Sequence, residues 1–139
     1  MTTTAASSIA TTDASPDFEA ENLLNTLEAM TDAQLDALAF GVIGFDADGV
    51  VRRYNAFESE AAGLSRQRVV GHPLFTVVAP CMNNYLVAQR FEDIAESGAV
   101  LDDTIGYVLT LRMRPVKVGL RLLSSPAAVM RYVLVKRPA

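Results

Sequence analysis

The chain has 139 residues, half of them hydrophobic and 20% charged, with a formal net charge of −4. That length suits one domain with its own apolar core, and a single cysteine excludes both an intramolecular disulfide and a cysteine-rich metal cage. An isoelectric point near 4.9 argues against a phosphate-binding, nucleic-acid surface, and neither a membrane span nor a secretory signal is recognisable, so a cytoplasmic, single-domain protein is expected.

Residues 1–17 are rich in Thr, Ala and Ser and carry too little apolar surface to offset their ordering entropy, which predicts a flexible tail. Leu23, Leu24, Leu27 and Met30 recur at helical spacing, and a second short helix is expected from a cap at Thr31 or Asp32 through Leu35 and Leu38. These two helices, over 18–38, should form a cap with few large apolar groups and hence weak docking. Phe40 to Phe45 and Val50 to Tyr54 flank Asp46-Ala47-Asp48-Gly49, the pattern of a β-hairpin. Residues 55–81 are punctuated by Gly63, Gly71, Pro73 and Pro80. They predict only short turns, one capped by Ser65 and another over Leu74 to Val78.

A longer helix is expected from Asn83 or Asn84 to Ser97, closed by Gly98 in a left-handed C-cap. Three alternating segments follow, around Ile105 to Met113, Val116 to Leu122 and Val129 to Arg137. In the middle one Lys117 and Arg121 take the polar positions. Period-two alternation in consecutive segments predicts an antiparallel sheet with one face buried. The sum is an α+β fold of five strands with helices gathered on one face and an N-terminal helical cap.

The search for chemistry returns little from residue types alone. Nucleotide-binding glycine motifs are absent, and the lone His72 cannot build a histidine-based zinc site or a triad without a GxSxG partner. Paired arginines at 52–53, 66 and 68, and 112 and 114 read as solvated charges. Glu58 and Glu60 are not spaced as a facing carboxylate pair. Cys81 admits two readings: a small buried hydrophobe, or a thiolate activated by the start of the helix behind it. Tyr54 reads as core or rim and Glu58 as a solvated carboxylate.

Taken together, Tyr54, Asn55, Glu58 and Cys81, in FDADGVVRRYNAFE and VVGHPLFTVVAPC, resemble the photoactive yellow proteins, blue-light sensors of the PAS superfamily. NTLEAMTDAQLDALAFG is similar to that family's cap and first strand, and YVLTLRMRPVKV to the strand pair carrying a chromophore-side methionine, here Met113. The resemblance covers roughly residues 22–137 and divides the chain into a tail (1–17), a cap (18–38) and a PAS core (39–139). It implies p-coumaric acid (4-hydroxycinnamic acid) held on Cys81 as a thioester. Its buried phenolate would be hydrogen-bonded by Tyr54 and by a protonated Glu58.

Light would then isomerise the double bond from trans to cis, Glu58 would pass its proton to the phenolate, and the cap would loosen. Proton transfer would leave a buried carboxylate without a partner, a costly state that drives local opening. The same resemblance implies a downstream signalling protein as partner, no enzymatic activity, and a monomer or weak homodimer.

Four positions depart from the family's pattern. Ala62 replaces a threonine that orients the tyrosine, Leu64 an arginine over the pocket, and Leu109 and Leu111 aromatic residues. Ser59 or Ser65 are candidate replacements for the lost hydroxyl. With this thinner shell the phenol is expected to hold its proton more tightly. The competing reading is a PAS interaction or dimerisation module with no chromophore or another ligand. An enzyme is disfavoured because no nucleophile, base and orienting group assemble.

Overall fold

The computed structural model describes residues 15–110 and 115–138. Two short helices, α1 (Leu23–Ala29) and α2 (Asp32–Asp36), precede the strands β1 (Gly41–Phe45) and β2 (Val51–Tyr54). Helices α3 (Ala56–Ala62) and α4 (Arg66–Val69), a π-type turn over Leu74–Val78 and a 3₁₀ turn over Pro80–Met82 lead to α5 (Ala88–Ser97). Strands β3 (Leu101–Leu109), β4 (Val116–Ser124) and β5 (Arg131–Lys136) close the chain. All five strands pair antiparallel in the order β2-β1-β5-β4-β3. The five-stranded α+β architecture expected from the sequence is the one observed.

Local chemistry explains the turns. Asp46 Oδ1 accepts from the amides of Asp48 and Val50 at 2.9 and 3.1 Å, and Gly49 takes φ 82°, which closes the β1–β2 hairpin. Thr31 is the cap residue of α2. Its hydroxyl accepts from Gln34 N at 3.1 Å while the Gln34 side chain accepts from Thr31 N at 2.7 Å. Gly98 ends α5 with φ 72°, as its position predicts.

The start of α5 is later than its periodicity suggests. Asn84 Oδ1 accepts from Leu86 N and Val87 N at 3.0 and 3.2 Å, and this local turn competes with the helix until Ala88. Leu86, assigned to the buried stripe from the sequence, is exposed. Ser65 occupies the N-cap of α4, but its side chain makes no cap bond.

The central strands are buried on both faces, where alternation predicted one. On one face Ile43, Phe45, Leu120, Leu122, Val133 and Val135 pack with Val69, Leu74, Met82 and Phe91 beneath the helices. On the other, Val42, Leu123, Tyr132 and Leu134 pack against Phe18, Leu23, Leu24, Leu27, Leu35 and Leu38 of the cap. The cap therefore encloses a second core and is not the sparse layer its composition suggested. Arg121, read as a solvated alternate, lies under it at 7% exposure. Its guanidinium pairs with Asp102 at 2.8 and 2.9 Å and donates to the carbonyls of Phe18 and Ala20.

Residues 1–14 of the expected tail, together with Leu111 and Met113, lie outside the described residues. Among the described residues no helix is long and apolar enough to cross a membrane, and no cluster of metal-ligating side chains occurs.

Candidate functional site

The site grows from the junction of β1, β2 and α3. Asn55 follows β2 and is 1% exposed, yet its side-chain amide is fully used. Its Oδ1 accepts from Val42 N at 2.9 Å and Glu58 N at 3.1 Å, and its Nδ2 donates to Leu35 O at 2.9 Å and Phe40 O at 3.0 Å. One residue thus caps α3 and ties that helix to β1 and to the cap.

So capped, α3 places Glu58 over β1 at Gly41. A Cβ on Gly41 would stand 2.0 Å from Glu58 Oε1, so the close approach requires glycine. The Glu58 side chain is buried, and Arg137, just beyond β5, grips it from the far end of the chain. Arg137 Nη1 donates to Oε1 at 2.6 Å and Nη2 to Oε2 at 3.1 Å. Burial pushes the Glu58 carboxyl above the ordinary carboxylate range, and the hydrogen bonds and charge of Arg137 oppose that rise without reversing it.

This corrects two expectations. Glu58 is not a solvated carboxylate, and an ionised Glu58 has a partner. The register explains the meeting. Val135 pairs with Gly41, and Arg137, two residues on, comes to the same end of the sheet as Glu58.

Tyr54 ends β2 in the same neighbourhood at 3% exposure. Burial first, then the negative charge of Glu58, raises its phenol well above the ordinary value, with Arg137 acting the other way. Among the described residues the Tyr54 hydroxyl has no hydrogen-bond partner. Ser59, one candidate to orient it, instead donates its hydroxyl to Leu64 O at 2.8 Å. A buried phenol donor with nothing to donate to is costly unless a ligand meets it.

Cys81 lies within the 3₁₀ turn, half-buried and unpaired. Helix α5 begins seven residues later at Ala88, so Cys81 is not at that helix's N-terminus and the dipole argument for an activated thiolate does not apply. The residue is held by its own carbonyl. Tyr107 Oη on β3 donates to Cys81 O at 2.5 Å and accepts from Asn84 Nδ2 at 2.6 Å, while Asn84 Nδ2 also reaches Cys81 O at 3.2 Å. Tyr107, Asn84, Gly41 and Arg137 are site residues that motif reasoning missed. Only the glycine's place in a strand of large apolar residues offered a signal.

Cys81 borders a cleft of about 410 Å³ with Ala62, Leu64, Val69, Val78 and the exposed Arg68. Small-molecule sites commonly span about 300–1,000 Å³ and are lined mainly by apolar groups. Cys81 and Leu64 pack against the hydrophobic core to which Tyr54 and Leu109 belong. Tyr54 and Glu58 do not line this cleft. They stand with Arg137 as a separate, electrostatically coupled cluster.

Comparison with known proteins places the chain and its fold. The family model described as PAS fold matches residues 35–134. A photoactive yellow protein of Rhodothalassium salexigens is 34% identical over 120 residues, spanning 86% of this chain and 95% of that one. One of Halochromatium salexigens is 33% identical over the same shares of both chains. Among solved structures, the photoactive yellow protein domain of the sensor histidine kinase Ppr from Rhodospirillum centenum superposes with a TM-score of 0.74 at 36% identity. It covers 82% of this chain and 99% of that domain. The chain belongs to the photoactive yellow protein family of PAS-fold proteins.

Proposed function

We propose that this chain is a blue-light photoreceptor module carrying p-coumaric acid as a thioester on Cys81. The observation that carries the reading is the buried Tyr54 hydroxyl, which has no hydrogen-bond partner among the described residues, in a core against which an accessible thiol packs. When bound, the chromophore supplies light-driven trans-to-cis isomerisation and a phenolic oxygen that carries or accepts a proton.

The protein's own groups have distinct roles in this reading. Cys81 provides the covalent anchor, fixed at its carbonyl by Tyr107 and Asn84. Tyr54 donates to the phenolate. Glu58, in a pocket that already disfavours its charge, stays neutral beside a second anion and is the proton donor. Ala62, Leu64 and Leu109 shape the apolar wall; Met113 is proposed with them only from the resemblance, since it lies outside the described residues. Residues 18–38 act as the cap that transmits the signal and 39–139 as the sensing core, and the output goes to a downstream signalling protein. That the relative in Rhodospirillum centenum is a domain of a sensor histidine kinase supports this output. A light-switched module of this kind turns over no substrate.

Reconstitution with an activated p-coumaric acid tests the reading. The expected outcome is a yellow protein with one hydroxycinnamoyl adduct by intact mass, mapped to Cys81, and a folded but colourless Cys81→Ala. A colourless protein of unmodified mass would point instead to an interaction module of the same fold.

A further inference from the structure

We infer that Arg137 is the counter-charge of the photoreceptor pocket, receiving the Glu58 carboxylate whenever Glu58 is ionised and releasing it when Glu58 is neutral. The inference rests on the light-sensing reading above and adds to it a residue that sets the lifetime of the light state.

The geometry is that of a built ion pair. Two parallel N–H groups of one guanidinium meet the two oxygens of one carboxylate at 2.6 and 3.1 Å, with the Arg137 side chain 16% and that of Glu58 1% exposed. Such a fork is a strong and geometrically specific arrangement for a carboxylate. The titratable or charged groups facing the Glu58 carboxyl are Tyr54, at the end of β2, and Arg137, beyond β5. Strand β1 presents only Gly41.

Charge counting gives the device its logic. In the chromophore-free chain an ionised Glu58 is the one anion here and Arg137 the one cation that meets it. With a phenolate in place Glu58 is neutral, and Arg137 balances the phenolate's charge in its stead. On illumination the Glu58 O–H bond breaks and the proton bonds to the phenolate oxygen, so the negative charge returns to Glu58. That carboxylate then meets two waiting N–H groups in the pairing this structure contains. Every state carries one negative and one positive charge, with nothing oxidised or reduced. The ionised Glu58 is thereby stabilised, and its reprotonation is slowed.

The test has a reading that needs no chromophore. Carboxyl-carbon NMR of the glutamate-labelled, chromophore-free chain should show the Glu58 titration midpoint rising by about one pH unit or more in Arg137→Gln, a tenfold change in its protonation equilibrium. Arg137→Lys, which keeps the charge but not the fork, should raise it less, and it carries the same test should the glutamine variant not fold. After reconstitution, Arg137→Gln should recover from the light state about tenfold faster or more, with its adduct mass unchanged. A Glu58 midpoint that stays in place in both variants overturns the inference even if the protein is yellow and photoactive. Failure to form the Cys81 adduct overturns the photoreceptor reading and leaves the titration to judge the pair by itself.

Discussion

A methyl group at position 41 would collide with a carboxylate oxygen 2.0 Å away. Gly41→Ala should therefore cost about 1–3 kcal/mol, as overpacking of a full interior does, and displace Glu58 from Arg137. Urea denaturation reads the loss, and an unchanged midpoint would contradict the contact. The raised carboxyl of Glu58 has its own signature in stability. The folded chain binds that proton more tightly than the unfolded chain, so the Glu58 contribution is greatest below the ordinary carboxyl value. It declines as pH rises from there to the raised folded value, and is flat beyond. Glu58→Gln should remove this decline from the pH profile of unfolding, and an identical slope in both proteins would contradict it. Cys81, Glu58 and Tyr54 could be singled out because their types and separations match the pattern of the family that the chain resembles. Arg137 could not. It lies 79 positions from Glu58 at the end of a strand whose alternating charges look solvated, and only the β1–β5 register brings the two together.

Helices α1 and α2 show what alternation hides at the scale of elements. Arg53, on β2, donates from Nη1 to Leu27 O at 2.8 Å and to Tyr132 Oη at 2.9 Å, and from Nη2 to Met30 O. Tyr132 Oη in turn donates to Glu28 at 2.9 Å. With Arg121 beneath Phe18 and Ala20, two sheet arginines grip four cap carbonyls that would otherwise lose hydrogen bonds on docking. Both arginines look like outward-facing polar residues in the sequence. Period two identifies which residues share a face of a strand, but not whether a second layer covers that face. Arg53→Ala should cost about 2 kcal/mol, the scale of hydrogen bonds to a charged group. It should also speed amide exchange over 23–30 while leaving β4 and β5 protected. Exchange unaltered in α1 would show that apolar packing alone holds the cap.

For the molecule as a whole, the sheet is a partition between two cores, one under the cap and one beside Cys81. Asn55 bridges the site helix, β1 and the cap residue Leu35, so a change at Glu58 has a direct route to the cap. The order of elements along the chain, hairpin, helical middle and three-stranded meander, was legible because hydrophobic periodicity and turn residues are local properties. The β1–β5 pairing that orders the sheet is not local. The cap's depth was not legible either, since it depends on which surfaces meet. If light ionises Glu58, amide exchange over 18–38 should quicken in the light relative to the sheet, and equal exchange in both states would send the signal elsewhere.

The most direct measurement of the central claim is the light-minus-dark infrared spectrum of the chromophore-loaded chain. A Glu58 that is neutral in the dark and gives up its proton in the light predicts loss of one protonated-carboxyl band on illumination with blue light, and no such loss in a Glu58→Gln variant that remains yellow. A spectrum with no carboxyl loss, or the same loss in Glu58→Gln, would contradict the account.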